Sequence, residues 1–349
     1  MTALNTLILR QIAQRGPMNV AEYMTLCLQH PEHGYYTTRD PFGAAGDFIT
    51  APEIHQIFGE MIGLWLASVW MERIQGPVTL AEAGPGRGTL MADILRVADR
   101  VPGFAQARRI ALIETSPTLR DVQRKTFPSG DVSWFDTIAD LPDDRPLLFV
   151  ANEFIDALPI RQFIRTGNRW AERVVGAQDG QLTFGLAPPV TMAVLDDLFP
   201  APQDGALVEW CPAAEPILQD LQTRITGQGG AALLIDYGAW DGTGDTLQAL
   251  KAQQPVDPLM HSGDADLTAH VNFSHLAAAA PALHAGFETQ GVFLERLGIT
   301  ARAQQLAARD KGMAVAHRRL VHPDEMGGLF KVLGLSTGPA PLPGFTPLT

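Results

Sequence analysis

A glycine-rich loop is the part of the chain whose residue types and spacing best suit a ligand site. It follows the apolar run 78–82 and precedes a helix-spaced apolar series that starts at Leu90. Glycines at such a turn let the backbone approach a ligand closely, and the following helix offers unpaired N–H groups at its start. The spacing is G-x-G-x-G, and Thr89 stands where a dinucleotide-binding fingerprint has its last glycine, which disfavours a nicotinamide-dependent oxidoreductase. The loop residues that we predict to bind a cofactor are Gly84, Pro85, Gly86 and Gly88.

Two carboxylates beside this loop indicate the charge of the ligand. Glu82 ends the first predicted strand, where an acid disfavours a pyrophosphate and suits a cationic or zwitterionic group. S-adenosylmethionine carries an ammonium, a carboxylate and a sulfonium, and it fits this requirement. Glu114 ends the second predicted strand and can accept hydrogen bonds from both ribose hydroxyls. The alternatives are a turn-capping role for Glu82 and a helix-start role for Glu114 beside Ser116.

Three polar side chains follow the fourth predicted strand. They are Asn152, Glu153 and Asp156. Ligands of open α/β sheets bind outside the carboxyl ends of the strands, so we predict that these side chains position a methyl acceptor, with Asn152 also contacting the cofactor. Their alternative role is to cap the turn that follows the strand. Asp236, after the fifth predicted strand, is a weaker candidate with the same alternative.

The order of the apolar segments predicts an α/β fold. Residues 1–75 are expected to form a helical N-terminal region, and residues 76–349 a Rossmann-like core with seven mostly parallel strands. The stretch from about 161 to 230 is too long for one crossover, so we predict an inserted substrate subdomain there. Two late apolar runs, near 287–294 and 329–335, are expected to be the last strands, on either side of one helix. The earlier strands are expected at Val78–Glu82, Arg109–Glu114, Val132–Trp134, Leu147–Val150 and Ala231–Ile235.

Composition narrows the classes of partner. The chain has 349 residues and a formal net charge of −12, which disfavours nucleic acid, because its readers need clustered Lys and Arg. A cationic protein segment is compatible with this charge. Two cysteines cannot build a disulfide framework, and the nine histidines show no metal-binding spacing, so we expect no metal. The longest apolar stretch, 61–71, is about half the ~20 residues that a membrane span needs, so we expect no integral membrane segment.

Six segments together resemble the MidA-like methyltransferase family, which includes the mitochondrial arginine methyltransferase needed for respiratory complex I assembly. The resemblance covers nearly the whole chain, and the segments at 46–60 and 152–159 are its most specific parts. It implies a class I methyltransferase fold that uses S-adenosyl-L-methionine and methylates protein arginine. The segments are His33–Tyr36, Gly46–Glu60, Glu82–Gly88, Asn152–Pro159, Leu234–Gly238 and His322–Lys331.

For the site, the resemblance implies an acceptor whose positive charge must be held. Paired carboxylates can orient a guanidinium and localise its charge on one side, and we assign that clamp to Glu153 and Asp156. Asp47, in the segment 46–60, is expected to close over the cofactor or the substrate. Its alternative is an ordinary Gly-Asp turn.

The resemblance also implies a partner and a compartment. The expected reaction is symmetric dimethylation of the 49-kDa-type subunit of NADH–quinone oxidoreductase during assembly. Because no stretch for a presequence precedes the first predicted helix, we expect a cytoplasmic bacterial protein, or the mitochondrial matrix for a eukaryotic one. A small-molecule acceptor, and an assembly chaperone that binds the cofactor without turnover, are the alternatives. The apolar helix expected at 53–71 is either core or the face of a homodimer.

Overall fold

The computed structural model describes residues 2–38, 50–128, 130–338 and 341–346. In chain order the helices are α1 Ala3–Arg15, α2 Val20–Gln29, α3 Tyr35–Thr38, α4 Ala51–Ile54, α5 Ile57–Arg73, α6 Thr89–Ala98, α7 Phe104–Ala107, α8 Pro117–Thr126, α9 Ala193–Leu198, α10 Ala214–Gln228, α11 Phe273–Ala279, α12 Gln290–Arg296, α13 Ile299–Ala307, α14 Met313–Val321 and α15 Met326–Leu329. The strands are β1 Met18–Asn19, β2 Val78–Ala83, β3 Arg108–Ile113, β4 Val132–Phe135, β5 Leu147–Asn152, β6 Arg161–Thr166, β7 Arg169–Gln178, β8 Gln181–Leu186, β9 Leu207–Trp210, β10 Gly230–Ala239, β11 Gln248–Lys251, β12 Gln254–Val256, β13 Asp266–Thr268, β14 Val271–Asn272, β15 His284–Thr289 and β16 Phe330–Ser336.

Two compact units make up the described chain. The accessory unit takes its described residues from 2–38, 156–215 and 241–270, and the central-sheet unit takes the other described residues. This division differs from the boundary that we expected at residue 75, because α5 packs with the central-sheet unit while α1 and α2 belong to the accessory unit. The physical reason is burial: twelve of the seventeen residues of α5 are buried, so this helix needs a large apolar partner.

The central sheet is mostly parallel. Its strand order is β15-β16-β10-β5-β2-β3-β4, and the two-residue β14 pairs with β10 outside that path. Among the strands of this sheet that the structure describes, β16 alone runs against the common direction, and it pairs antiparallel with both β10 and β15. Every residue of β2 is buried, as a strand covered on both faces requires. The predicted α/β class is therefore confirmed, with β14 added to the seven expected strands.

The C-terminal part of this unit differs from our expectation. The apolar run 287–294 was expected to be one strand, but β15 ends at Thr289 and α12 begins at Gln290. Several helices, α12 to α15, separate β15 from β16 in place of the single helix expected. A short apolar run suits a buried helix as well as a strand. Here the chain turns helical where Gly291 meets another backbone: a Cβ at Gly291 would lie 2.3 Å from the Val321 carbonyl oxygen.

A close helix crossing supports the glycine loop from behind. Helix α5 crosses α6, the helix that follows the loop, at two glycines. A Cβ on Gly59 would lie 2.5 Å from the Asp93 Cβ, and one on Gly63 would lie 2.7 Å from the Ile94 carbonyl oxygen. Small residues at these points let the two helices approach, and this contact fixes the position of α6.

The accessory unit is built from antiparallel strands and the N-terminal helices. One sheet has the order β1-β7-β6-β9 with β8 beside β7, and the other has the order β12-β11-β13. The stretch 161–230, where we expected an inserted subdomain, contributes β6, β7, β8 and β9 to the first sheet. Helix α2 begins with a capping box, in which Asn19 and Glu22 each accept from the other's backbone N–H. Among the described residues no helix combines the length and apolar content that crossing a membrane requires.

Candidate active site

The glycine loop forms between β2 and α6, at the carboxyl end of the strand. Gly84, Gly86 and Gly88 have φ values of 63°, 52° and 83°, in the left-handed region that disfavours other residues. The loop is also crowded. A Cβ on Gly84 would lie 2.9 Å from Phe154 Cδ2, and one on Gly88 would lie 2.7 Å from Phe127 Cε2. The strand, turn and helix expected from the spacing are therefore present.

The start of α6 is held by a residue that the sequence did not single out. The Gly88 N–H donates to the Pro85 carbonyl at 2.7 Å and closes the turn. The next residue, Thr89, donates its hydroxyl hydrogen to Glu53 Oε1 at 2.7 Å. Glu53 lies in α4, within the segment 46–60 that carries the family resemblance. In the sequence, only the position of Glu53 within this segment indicated that it could have a role at the site.

Glu82 is a buried carboxylic acid at the end of β2. Within the described part of the chain, Glu82 Oε2 has no hydrogen-bond partner. Burial raises the pKa of Glu82 to about 8, and a hydrogen bond from the Met91 backbone opposes the shift only in part. The carboxyl is therefore mostly protonated at pH 7 in the free protein. An unsatisfied buried oxygen of this kind fits a ligand that brings a cationic donor.

We expect Glu82→Gln to stabilise the ligand-free protein near pH 8. The ordinary pKa of this carboxyl is 4.5, and its pKa in the folded protein is about 8. Between these values the unfolded state loses its proton while the folded state keeps it, so the free energy of unfolding falls by about 1.4 kcal/mol per pH unit. The free energy of unfolding stops falling once the pH exceeds the pKa of Glu82 in the folded protein, about 8. Denaturant unfolding of both proteins between pH 5 and 9 measures this slope, and equal slopes would contradict the burial argument.

Glu82→Gln should weaken ligand binding, although it stabilises the ligand-free protein. If the cationic group of the ligand binds beside Glu82, as the sequence predicts, it would draw the proton off this carboxyl, and wild-type affinity should then rise by up to about tenfold per pH unit between pH 6 and 8. Titration calorimetry with S-adenosylhomocysteine in two buffers of different ionisation enthalpy measures the proton released. Glu82→Gln should bind more weakly and release no proton at this position.

Glu114 lies directly after β3 with both carboxylate oxygens already in contact with donors. The Ser116 N–H donates to Oε1 at 2.8 Å, as expected for an acid at the start of α8. The Gln123 side-chain amide donates to Oε2 at 3.3 Å. Burial raises the pKa of Glu114, and these N–H donors oppose the rise. Each oxygen keeps a further lone pair, so these contacts leave Glu114 able to accept from a ligand.

Glu153 has a strained backbone at the end of β5. Its φ is 52°, a left-handed value that costs a non-glycine residue about 1–3 kcal/mol. Hydrogen bonds hold it there: Oε1 accepts from Asn152 Nδ2 at 2.9 Å and from the Ala51 N–H at 3.1 Å, and its own N–H donates to the Ile235 carbonyl at 2.9 Å. Asn152 Oδ1 is buried and, across the described ranges, makes no hydrogen bond. Strain of this kind is typical of functional sites.

The remaining predicted side chains have different outcomes. Asp236 accepts from the Ile155 and Tyr237 backbone N–H groups, each at 3.0 Å, so it has the turn role given as its alternative. Asp156 is buried in the accessory unit, and its carbonyl accepts from the Ala269 N–H at 3.0 Å. Because Glu153 and Asp156 belong to different units, the carboxylate clamp stays a prediction. Asp47 lies outside the described residues.

A sequence model of a family of S-adenosyl-L-methionine-dependent methyltransferases matches residues 61–292. The chain belongs to this family. The match covers the glycine loop, Glu114 and Glu153, and it confirms S-adenosyl-L-methionine as the cofactor of this methyltransferase. The buried, unsatisfied oxygens of Glu82 and Asn152 are consistent with a polar ligand at these strand ends.

Animal relatives of this methyltransferase are named protein arginine methyltransferase NDUFAF7, mitochondrial. The Danio rerio protein is 38% identical, and the match covers 95% of this chain and 87% of that protein. The Mus musculus protein is 37% identical over 94% of this chain and 83% of its own length, and the Homo sapiens protein is 36% identical over 94% and 82%. These matches confirm the resemblance to the MidA-like family.

Two crystal structures from Burkholderia thailandensis share the fold. One contains bound S-adenosyl-homocysteine and matches with a TM-score of 0.85 and 27% identity, over 98% of this chain and 94% of that chain. The other, a native structure, matches with a TM-score of 0.84 and 26% identity over the same shares. The class I methyltransferase fold that the family resemblance implied is confirmed by this similarity.

Proposed function

We propose that this methyltransferase transfers methyl groups to arginine side chains of a protein. The observation that carries the proposal is Glu153, a carboxylate held in a strained conformation at the end of β5, in the same unit as the glycine loop. Ala51 and Asn152 hold one carboxylate oxygen, Oε1, by N–H donation. A carboxylate fixed in this way suits a planar cationic acceptor. The names of the animal relatives support the same acceptor.

The chemistry requires orientation more than proton transfer. Bound S-adenosylmethionine supplies a methyl group that its sulfonium already activates. A new N–C bond forms while the S–C bond breaks, and the electron pair of that bond goes to sulfur. The attacking nitrogen releases one N–H proton to water, so the methylated guanidinium keeps a single positive charge. Guanidinium is a weak nucleophile because its charge is delocalised. The Glu153 carboxylate would bind its N–H groups, localise the charge away from the attacking nitrogen and align that nitrogen with the methyl group.

The cofactor would be held by groups from three strand ends. We assign the Glu82 carboxylate to the ammonium group and the Glu114 carboxylate to the ribose hydroxyls. The loop backbone and Asn152 Oδ1 supply further polar contacts. The loop residues included in this assignment are Gly84, Pro85, Gly86 and Gly88.

We also propose two further site residues, a protein substrate and a cellular location for this methyltransferase. We assign Asp156 as the second acid of the clamp and Asp47 as a residue that closes over the ligands. The proposed substrate is the 49-kDa-type subunit of NADH–quinone oxidoreductase, modified by symmetric dimethylation during assembly. The proposed location is the bacterial cytoplasm, or the mitochondrial matrix for a eukaryotic member, as the name of the animal relatives suggests.

Labelled methyl transfer tests the proposal. Purified protein and methyl-labelled S-adenosylmethionine are added to an extract of cells that lack this gene, and the same extract without enzyme is the control. We expect label on an arginine of the 49-kDa-type subunit, located by mass spectrometry. Label only on small molecules would overturn the protein acceptor. No transfer, with S-adenosylhomocysteine still bound, would favour the assembly chaperone.

A further inference from the structure

A glutamine on α8 joins three parts of the cofactor region. Gln123 is fully buried, with no exposed surface. Its Nε2 donates to the Gly86 carbonyl at 2.7 Å and to Glu114 Oε2 at 3.3 Å, and its Oε1 accepts from the Trp134 indole N–H at 2.7 Å. The Gln123 amide therefore links the glycine loop, Glu114 and strand β4.

We propose that Gln123 is a positioning residue that orients the Glu114 carboxylate for recognition of the cofactor ribose. The inference rests on the proposed contact between Glu114 and the ribose hydroxyls. Gln123 is not expected to touch the cofactor, and it acts through the carboxylate and the loop backbone that it holds.

The geometry leaves the amide one orientation. The Trp134 indole is a donor only, so the Gln123 atom that faces it must be the oxygen. The two hydrogens of Nε2 then have two acceptors, Gly86 and Glu114, and no hydrogen is left over. Packing alone does not call for this amide, since Leu119 one turn earlier shows that the buried face of α8 accepts an apolar side chain.

Two donors on different oxygens fix the plane of the Glu114 carboxylate. Ser116 holds Oε1 from the start of α8, and Gln123 holds Oε2 from two turns further along. Neighbouring hydroxyls on a ribose need two acceptor oxygens at a set spacing and direction. With Gln123 removed, Oε2 would lose its side-chain donor, and the carboxylate would be held less firmly in the orientation that the ligand needs.

Ligand discrimination tests this role. The dissociation constants of S-adenosylhomocysteine and its 2′-deoxy analogue are measured for the wild type, Gln123→Met, Thr126→Val and Glu114→Gln. Thr126 is the matched control, because it also ties α8 to the loop, through a 3.0 Å hydrogen bond to the Arg87 carbonyl, and has no hydrogen bond to Glu114. We expect the wild type to prefer the ribose ligand by about 10- to 100-fold. Gln123→Met should reduce the preference to less than about threefold, and Thr126→Val should keep it.

The variants distinguish a positioning role of Gln123 from a direct role of Glu114 in ribose binding. Equal weakening of both ligands in Gln123→Met would overturn the inference, because the residue would then support only the loop. If Glu114→Gln keeps the wild-type preference, the ribose role of Glu114 fails, and the inference fails with it. If Gln123→Met does not fold, Trp134→Phe decides: it removes the donor that orients the amide and keeps Nε2. A reduced preference in that variant supports the inference, and an unchanged preference overturns it.

Discussion

Glu153→Gln should abolish methyl transfer and leave cofactor binding nearly unchanged. Glutamine keeps the shape of the side chain, and its carbonyl oxygen can still accept from the Ala51 and Asn152 N–H groups that hold Glu153 Oε1. It loses the negative charge that would orient and polarise a guanidinium. Removing one such electrostatic contact in other enzymes lowers kcat by about 100- to 1,000-fold. We therefore expect at least a 100-fold loss of kcat and a change of less than about threefold in the dissociation constant of S-adenosylhomocysteine.

A matched control separates the charge from the backbone strain. Asp179 lies in the turn between β7 and β8 with a φ of 51°, nearly the value of Glu153. Asp179→Asn removes one carboxylate charge at a left-handed position that is exposed, and it should leave turnover at the wild-type level. Wild-type turnover in Glu153→Gln would show that another group positions the acceptor.

Gly86→Val should abolish cofactor binding while the chain still folds. Gly86 has a φ of 52°, and a β-branched residue is a genuine outlier in that region. The substitution also places a side chain on the loop that we assign to the ligand, and it shifts the carbonyl that accepts from Gln123. We expect the dissociation constant of S-adenosylhomocysteine to rise by at least about 100-fold, equal to a binding loss of about 2.7 kcal/mol.

The control for this variant is Gly180→Val. Gly180 has a φ of 74°, and nothing lies within 4 Å of the position a Cβ would take. Backbone strain should lower the melting temperature of both variants by a similar amount, whereas only Gly86→Val should lose the ligand. Thermal unfolding and calorimetric titration compare them. Normal affinity in Gly86→Val would mean that the loop does not contact the cofactor.

The local pattern of residues was enough to predict the parallel strands β2, β3, β4, β5 and β10 of the central sheet and the glycine loop. The strands β2, β3, β5 and β10 each contain a run of mostly apolar, buried residues, and such runs are visible in sequence. The loop is also local, because its turn depends on the φ values of glycines between adjacent elements. The carboxylates Glu82, Glu114 and Glu153 could be predicted because they directly follow or end these strands.

Contacts between distant residues decided the rest. The hydrogen bond from Thr89 to Glu53 spans 36 positions, and the one from Ala51 to Glu153 spans 102, so no spacing rule predicts either. The role of Gln123 depends on Trp134 and Gly86, which reach it only after β4 and the loop have packed against α8. The run 287–294 is likewise divided between a strand and a helix, and Gly291 at the start of that helix packs closely against the Val321 backbone.

Features of this protein that depend on neighbouring residues could be predicted from the sequence, whereas features that depend on tertiary packing could not. Backbone conformation and strand burial follow from the types and spacing of near neighbours, so β2, its loop and α6 can be predicted from sequence. The protonation of Glu82, the strain at Glu153 and the orientation of Glu114 depend on desolvation and on donors that come from elsewhere in the chain. These quantities exist only after the chain has folded, because burial is a property of the whole packed unit rather than of a segment.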